Sequence, residues 1–325
     1  MNKRLLLTIL VFASLPAMTP AQNSRPTTVP AETLEDFVFS PQWTAQAQFA
    51  GYYVAREKGF YEEEGLDVKI VHPFATQTAE ERLRSGASLA TTLTLTEAME
   101  LIDKGLELVN ILQTSMNSAM MLVSRYGSDP MTLRSSRVST WRAGFGQIAR
   151  CMVEKEHLDY QWIMASSCIN LFIAGAVDAT LAMSYNEYYQ LLQTGLVDPA
   201  KGIYRFSEHG YNIQEDGVYM TVKEFRKDRE KAERFARASR RGWEWAAEHQ
   251  EETLDIVMRY IREYRIPTNR VLQQLMLEEV LRLQLDPDTG EREFRLRPDM
   301  VGLASDRMVE GGILEHEVKY EQLLP

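Results

Sequence analysis

Residues 48–68 read QFAGYYVAREKGFYEEEGLDV, and a change of period inside this stretch decides the fold class. The spacing predicts a helix over 47–58, stopped at Gly59, since a glycine just past a helix end takes the left-handed backbone without a Cβ penalty. After Gly65 the pattern switches: Leu66, Val68 and Ile70 alternate with polar residues, which is the period of a strand. Upstream, Phe37, Val38 and Phe39 form another strand candidate. Downstream the alternation continues with a helix at 78–85, a strand at 89–93, a helix at 96–104 and a strand at 106–113. This βαβα rhythm predicts an α/β protein with a mainly parallel sheet flanked by helices.

A second set of strands begins near residue 119, at 120–124, 138–140, 162–165 and 177–183, with helices expected at 145–156 and 169–174. Beyond residue 222 the chain turns to long charged amphipathic helices, 223–248, 250–264 and 267–284. The alternating acids and bases of 223–241 read as a solvated helix face.

The chain has 325 residues, which suggests about two domains. Its 36 Lys and Arg against 46 Asp and Glu give a net charge of −10. That balance speaks against nucleic acid, whose phosphates are bound by clustered cations. Two cysteines exclude a disulfide-dense scaffold and a Cys-cluster zinc site. Whether Cys151 and Cys168 pair is left open by their spacing. Residues 1–21 have the layout of a cleavable signal peptide: Lys3 and Arg4, an apolar run from Leu5 to Ala17, and small residues at Thr19 and Ala21. Loss of Lys3 and Arg4 with that leader moves the net charge from −10 to −12. Residues 22–33, with Pro26 and Pro30, read as a flexible lead-in. No other apolar run approaches a bilayer span, so membrane insertion is not expected.

Several segments together resemble the solute-binding proteins of ABC transporters, in the family that holds thiamine-pyrimidine-precursor binders and thiamine pyrimidine synthases. They are Trp43 with residues 48–68, AGFG at 143–146, GAVDATLAMSYNEY at 175–188, EDG at 215–217 and RGWEWAAEH at 241–249. The resemblance implies a two-lobed periplasmic-binding-protein fold of the second type with a ligand cleft between the lobes. Lobe one is expected at 34–122 plus 213–325 and lobe two at 123–212. It also implies a monomer outside the cytoplasm that binds a small molecule and hands it to an ABC transporter permease. A ligand-sensing partner of a membrane receptor is the alternative, and a synthase-like enzyme a more distant one.

The synthases, by the same resemblance, use a lysine and a histidine after an early strand, plus a Cys-rich cluster. Here no lysine lies between Lys69 and Lys104 and no histidine between His72 and His157, and the loop reads Leu93-Thr94-Leu95-Thr96-Glu97. Phe49 stands where some relatives carry a further histidine. A nucleophile and its base are therefore missing, and no catalytic residue, cofactor or metal site is expected. His72, His157, His209, His249 and His316 show no metal spacing.

Cleft-lining candidates sit just past predicted strands, where open α/β sheets bind ligands. Trp43 offers a face for stacking on a flat ligand, and Gln46 and Gln48 offer amide groups. Tyr52 and Tyr53 begin the first helix; Tyr52 is taken as the one facing the cleft, because neighbours on a helix point about 100° apart. Thr94 belongs to the Thr-rich loop. Trp141, Gly144, Phe145 and Gly146 form a strand-to-helix turn where backbone N–H groups can meet a ligand oxygen. Tyr185, Asn186 and Glu187 follow a further strand, and a carboxylate there suits an amino group or ring N–H. Glu215 and Asp216 add two carboxylates near the second lobe crossing. An aromatic, carboxylate-bearing cleft favours a flat nitrogen heterocycle, such as a thiamine pyrimidine precursor or related vitamin precursor.

Overall fold

The computed structural model describes residues 34–73, 77–141, 145–166 and 168–325. The expected leader and lead-in, 1–33, and Gly144 lie outside the described residues.

Two five-stranded sheets form the frame. The first contains β1 (Glu35–Ser40), β2 (Leu66–Ile70), β3 (Ala90–Thr94), β4 (Leu108–Gln113) and β10 (Asp216–Thr221), in the order β2-β1-β3-β10-β4. The second contains β5 (Met120–Ser124), β6 (Ser136–Trp141), β7 (Tyr160–Ala165), β8 (Ala179–Met183) and β9 (Ile203–Arg205), in the order β7-β6-β8-β5-β9. β1 runs parallel to β2 and β3, while β10 is antiparallel to β3 and β4. β6 runs parallel to β7 and β8, while β5 is antiparallel to β8 and β9. Each sheet is thus mixed, with one reversed strand, and in each case that strand is the first one laid down after the chain changes sheets. Apolar runs look alike in either direction, so the sequence pattern alone does not show the reversal.

The sheet change falls between Gln113 and Met120, because β5 pairs entirely within the second sheet. Residues 120–122, assigned to lobe one from the sequence, lie in the second sheet instead. Two further differences concern helices and strands. The expected helix at 223–248 is broken into Val222–Lys227 and Arg229–Glu248 at Asp228, whose backbone leaves the helical region and whose carboxylate accepts from the Lys231 N–H at 3.0 Å. An aspartate that caps a helix start competes with helix continuation at its own position. The short strand β9 and the helix Pro298–Glu310 were not expected from the sequence.

The first helix comes out as a short 3-10 turn, Ala47–Phe49, followed by Ala50–Glu57, and Gly59 takes φ +75° just beyond it. This helix packs on Arg229–Glu248 at unusually close range. A Cβ on Gly51 would lie 2.2 Å from the Trp243 ring, and one on Gly242 would lie 2.1 Å from the Gly51 carbonyl oxygen. Two glycines therefore let the backbones meet and seat Trp243, which is 1% exposed, across the first helix. Phe37 and Tyr61 stack on Phe235 with centroids 4.3 and 5.2 Å away, continuing this aromatic core toward the sheet. Gly51→Ala forces Trp243 out of its seat, an overpacking cost of about 1–3 kcal/mol. Its melting temperature should fall by roughly 5 °C, read by calorimetry against the parent protein. An unchanged melting temperature would show that Trp243 moves without penalty.

Candidate functional site

Three neighbouring chambers lie between the two sheets, at the strand ends that the topology turns toward each other. The main one is walled on the first-sheet side by the segment after β1, with Gln42, Trp43, Gln46 and Gln48. On the other side stand Trp141 at the end of β6, Phe145, and Met183, Tyr185, Asn186 and Glu187 after β8. Trp43 and Phe145 meet edge-on at 5.7 Å across it, and Trp141 meets Phe145 at 5.9 Å. Its volume is about 30 Å³, room for only a couple of waters.

A second chamber shares Gln48 and Tyr185 with the first and adds Glu215, Asp216, Trp243 and Gln284. A third shares Phe145 and Met183 and adds Thr94, Thr96, Tyr211 and Glu215. The structure thus brings Trp43, Gln46, Gln48, Trp141, Phe145, Tyr185, Asn186 and Glu187 to one chamber, and Thr94, Glu215 and Asp216 to the two beside it. Gly146 caps the helix Gln147–Lys155 and lies under the wall, where an added Cβ would meet the Thr140 hydroxyl at 3.0 Å.

Tyr52 is not brought to the chambers. It is 1% exposed and packs against Phe39 and Trp243. Tyr53 is equally buried; its hydroxyl lies 2.7 Å from His72 Nε2, and its ring stacks on Tyr260. The one-face-in argument fails here because the helix Ala50–Glu57 is covered by Arg229–Glu248 on one side and Gln250–Glu263 on another, so successive residues all meet protein. Cys151 is a free, buried cysteine; the side chain of Cys168 lies outside what is described. Burial pushes the Cys151 thiol up to about 11, which leaves it unreactive at neutral pH.

The polar groups of the chambers are tied to one another. Asp216 accepts from Gln42 Nε2 at 2.9 Å and from Gln48 Nε2 at 2.6 Å, and Gln48 Oε1 accepts from Gln46 Nε2 at 2.6 Å. Glu215 accepts from the Ser118 hydroxyl at 2.7 Å and the Ala119 N–H at 3.0 Å. Glu187 accepts from the Met183 N–H at 3.1 Å and from Asn186 Nδ2 at 3.2 Å. Burial pushes Glu187 and Asp216 above the usual carboxylate range, against the pull of these donors. Burial likewise takes Glu215 up to about 7, opposed by Ser118 and Ala119. No lysine, arginine or histidine lines any of the three chambers among the described residues. His72 sits behind the wall, with Nδ1 donating to the Trp43 carbonyl at 2.5 Å, and its burial lowers it to about 4. Among the described residues no group of three or more His, Cys, Asp or Glu is placed to hold a metal ion.

Sequence reasoning missed Gln42, Met183, Thr96, Trp243 and Gln284. Gln42 carried a signal, since it adjoins Trp43 in the same post-strand segment. Trp243 lay inside the quoted RGWEWAAEH motif but nothing in the sequence placed it at the cleft.

No described helix is long and apolar enough to cross a membrane. Comparison with solved structures shows the alkanesulfonate-binding protein SsuA from Xanthomonas axonopodis pv. citri bound to MOPS at a TM-score of 0.67, 13% identity, over 91% of this chain and 99% of that one. The ligand-binding component of an ABC-type import system from Staphylococcus aureus, with zinc bound, matches at a TM-score of 0.66 and 7% identity, over 90% and 96%. At these identities the likeness shows the fold alone: a two-lobed periplasmic-binding-protein fold of the second type. Among curated proteins, the formylaminopyrimidine-binding protein of Halalkalibacterium halodurans is 25% identical over 298 residues, 87% of this chain and 86% of that protein. These relatives are named as binding proteins and not as enzymes. The family model described as NMT1/THI5 like matches residues 46–253, more than half of the sequence, and the chain belongs to that family.

Proposed function

We propose that this protein is an extracytoplasmic solute-binding protein that captures a small nitrogen heterocycle of the thiamine-pyrimidine-precursor class and delivers it to an ABC transporter permease. The observation that carries the reading is a chamber with aromatic walls and a carboxylate, Glu187, with no cation among the described residues that line it. A half-buried carboxylate without a nearby cation is stabilised by a ligand that brings N–H donors or positive charge. Trp43, Trp141 and Phe145 supply flat apolar contact for a ring. The name of the Halalkalibacterium relative points to the same chemistry. Residues 1–21 would direct export.

Lobe one in this reading comprises 34–113 with 216–325, and lobe two 120–205, the intervening segments acting as hinges. A chamber of about 30 Å³ does not admit a pyrimidine ring until its walls part. Parting them breaks the bonds that span the cleft, Gln147 Nε2 to Glu100 at 3.0 Å and the Ser184 hydroxyl to Glu279 at 2.6 Å.

The test is calorimetric titration with formylaminopyrimidine, with thermal melting and small-angle scattering beside it. Saturation at about 100 times Kd should stabilise the fold by ~2.7 kcal/mol, and the radius of gyration should shrink as an open population closes. Absence of heat and of any melting shift at millimolar ligand would reject this ligand class. Binding with an unchanged radius would reject the hinge.

A further inference from the structure

The three glutamines around the main chamber are oriented by a single carboxylate. An amide has a donor end and an acceptor end, whereas a carboxylate only accepts. Asp216 Oδ1 lies 2.9 Å from the Gln42 amide and Oδ2 lies 2.6 Å from the Gln48 amide, so each must turn its NH2 toward Asp216. Reversing either would set two oxygens against each other at those distances. Two consequences run outward. Among the described residues Gln42 Oε1 is left buried without a partner. Gln48 Oε1 faces away from Asp216 and takes the NH2 of Gln46 at 2.6 Å, which puts Gln46 Oε1 at the end of the series, with no hydrogen bond to it among the described residues. All three glutamines line the main chamber, and Glu187 faces them from the second sheet.

We propose that Asp216 is a specificity-determining residue acting at one remove: by fixing three glutamine amides it makes the chamber present acceptors, and so selects ligands rich in N–H donors over isosteres carrying an acceptor in the same place. The proposal rests on the reading of this chamber as the ligand site. It differs from the sequence expectation for Asp216, whose oxygens are occupied by Gln42 and Gln48 and not turned to a ligand. Neutral residues alone would not give this bias, because a glutamine with no fixed partner turns to suit either kind of ligand. The backbone supports the arrangement: Asp216 opens β10, an interior strand paired on both sides, with β3 and with β4, so the carboxylate is anchored on a rigid strand.

The decisive variant is Asp216→Asn, which keeps the size but gives one amide a donor in place of an acceptor. Affinities are measured for formylaminopyrimidine and for its analogue with methoxy in place of the ring amino group. The parent protein should prefer the amino compound by roughly ten-fold or more, and Asp216→Asn should narrow that preference to about three-fold or less. Equal weakening of both ligands, with the preference intact, overturns the proposal. Side-chain amide NMR of the ligand-free protein provides the arm that does not depend on the ligand. The NH2 signals of Gln42 and Gln48 should move in Asp216→Asn, and unmoved signals overturn the proposal even if the parent binds neither probe. In that last case the failed binding belongs to the functional reading and the amide signals to this one. Should Asp216→Asn not fold, Gln42→Met removes one acceptor directly, and an unchanged preference for the amino compound in that variant overturns the proposal.

Discussion

Glu97→Gln should raise the melting temperature at pH 8 by roughly 5–10 °C and leave it nearly unchanged at pH 5. Glu97 lies in the first turn of the helix Leu95–Asp103, where its own N–H donates to the capping hydroxyl of Thr94 at 3.2 Å. Its Oε2 is sealed in without a partner among the described residues. Burial pushes the carboxyl up to about 8, with the charges of Glu80, Glu100 and Asp216 adding to the effect and the Thr94 contact opposing it. The sign follows from proton counting. Between about 4.5 and 8 the folded chain holds a proton on Glu97 that the unfolded chain has released. Folding is then favoured by acid, and the contribution is lost progressively as pH rises toward the folded value. Each pH unit in that window costs ~1.4 kcal/mol, so a few kcal/mol accumulate by pH 8 even after local relaxation. Glutamine is neutral in both states and escapes that cost, while at pH 5 it replaces an acid that is already protonated in the fold. Glu215, raised to about 7, acts in the same direction, and His72, lowered to about 4, acts in the opposite one below its unfolded value near 6.5. Taken together these three groups put the parent's highest melting temperature at about pH 4–5, with stability lost toward pH 8. A benefit from Glu97→Gln that is the same at both pH values would mean that the carboxyl is ionised throughout.

Glu97 also shows what kind of information the sequence held. Alternation at 66–70, the Gly59 stop and the strands expected at 89–93 and 120–124 were legible because period and punctuation are local properties of the chain. Strand direction was not local. β5 and β10 reverse because of where the chain passes between sheets, and the apolar pattern of β5, MMLVS, reads the same either way. The site divides along the same line. Trp43, Trp141 and Glu187 could be found because each follows its own strand, and the topology turns those ends to one place. Trp243 and Gln284 arrive from distant helices. Tyr52 was misplaced because helix geometry gives directions around an axis but not what stands in each direction. Asp216 was placed near the cleft, yet read as a group at a crossing turn. Its partners Gln42 and Gln48, more than 160 positions away in sequence, turn it into an organiser of other side chains.

Trp43→Ala and Glu187→Gln should each weaken binding of formylaminopyrimidine by about ten-fold or more while leaving the ligand-free protein folded. The Trp43 carbonyl is held by His72, and its side chain reaches across the chamber to Phe145 edge-on. A ring inserted there gains the Trp43 face, and alanine removes both the stacking area and the shield from water. The ligand-free fold loses little, because the tryptophan is only partly buried and its ring contact is with the opposite wall. Glu187 is the more demanding case, since its two oxygens already accept from the Met183 N–H and Asn186 Nδ2. Glutamine keeps one carbonyl oxygen for the backbone donor, so the loop after β8 keeps its tie. It loses the charge and turns one acceptor into a donor, which opposes an incoming N–H. A hydrogen bond to a sheltered charged group is worth roughly 1.5–3 kcal/mol, enough for the expected loss of affinity. Titration and melting of both variants separate the two roles that a half-buried residue can have. Affinity lost with the melting temperature kept assigns Trp43 and Glu187 to the ligand; a large drop in ligand-free melting temperature with affinity unchanged assigns them to the fold.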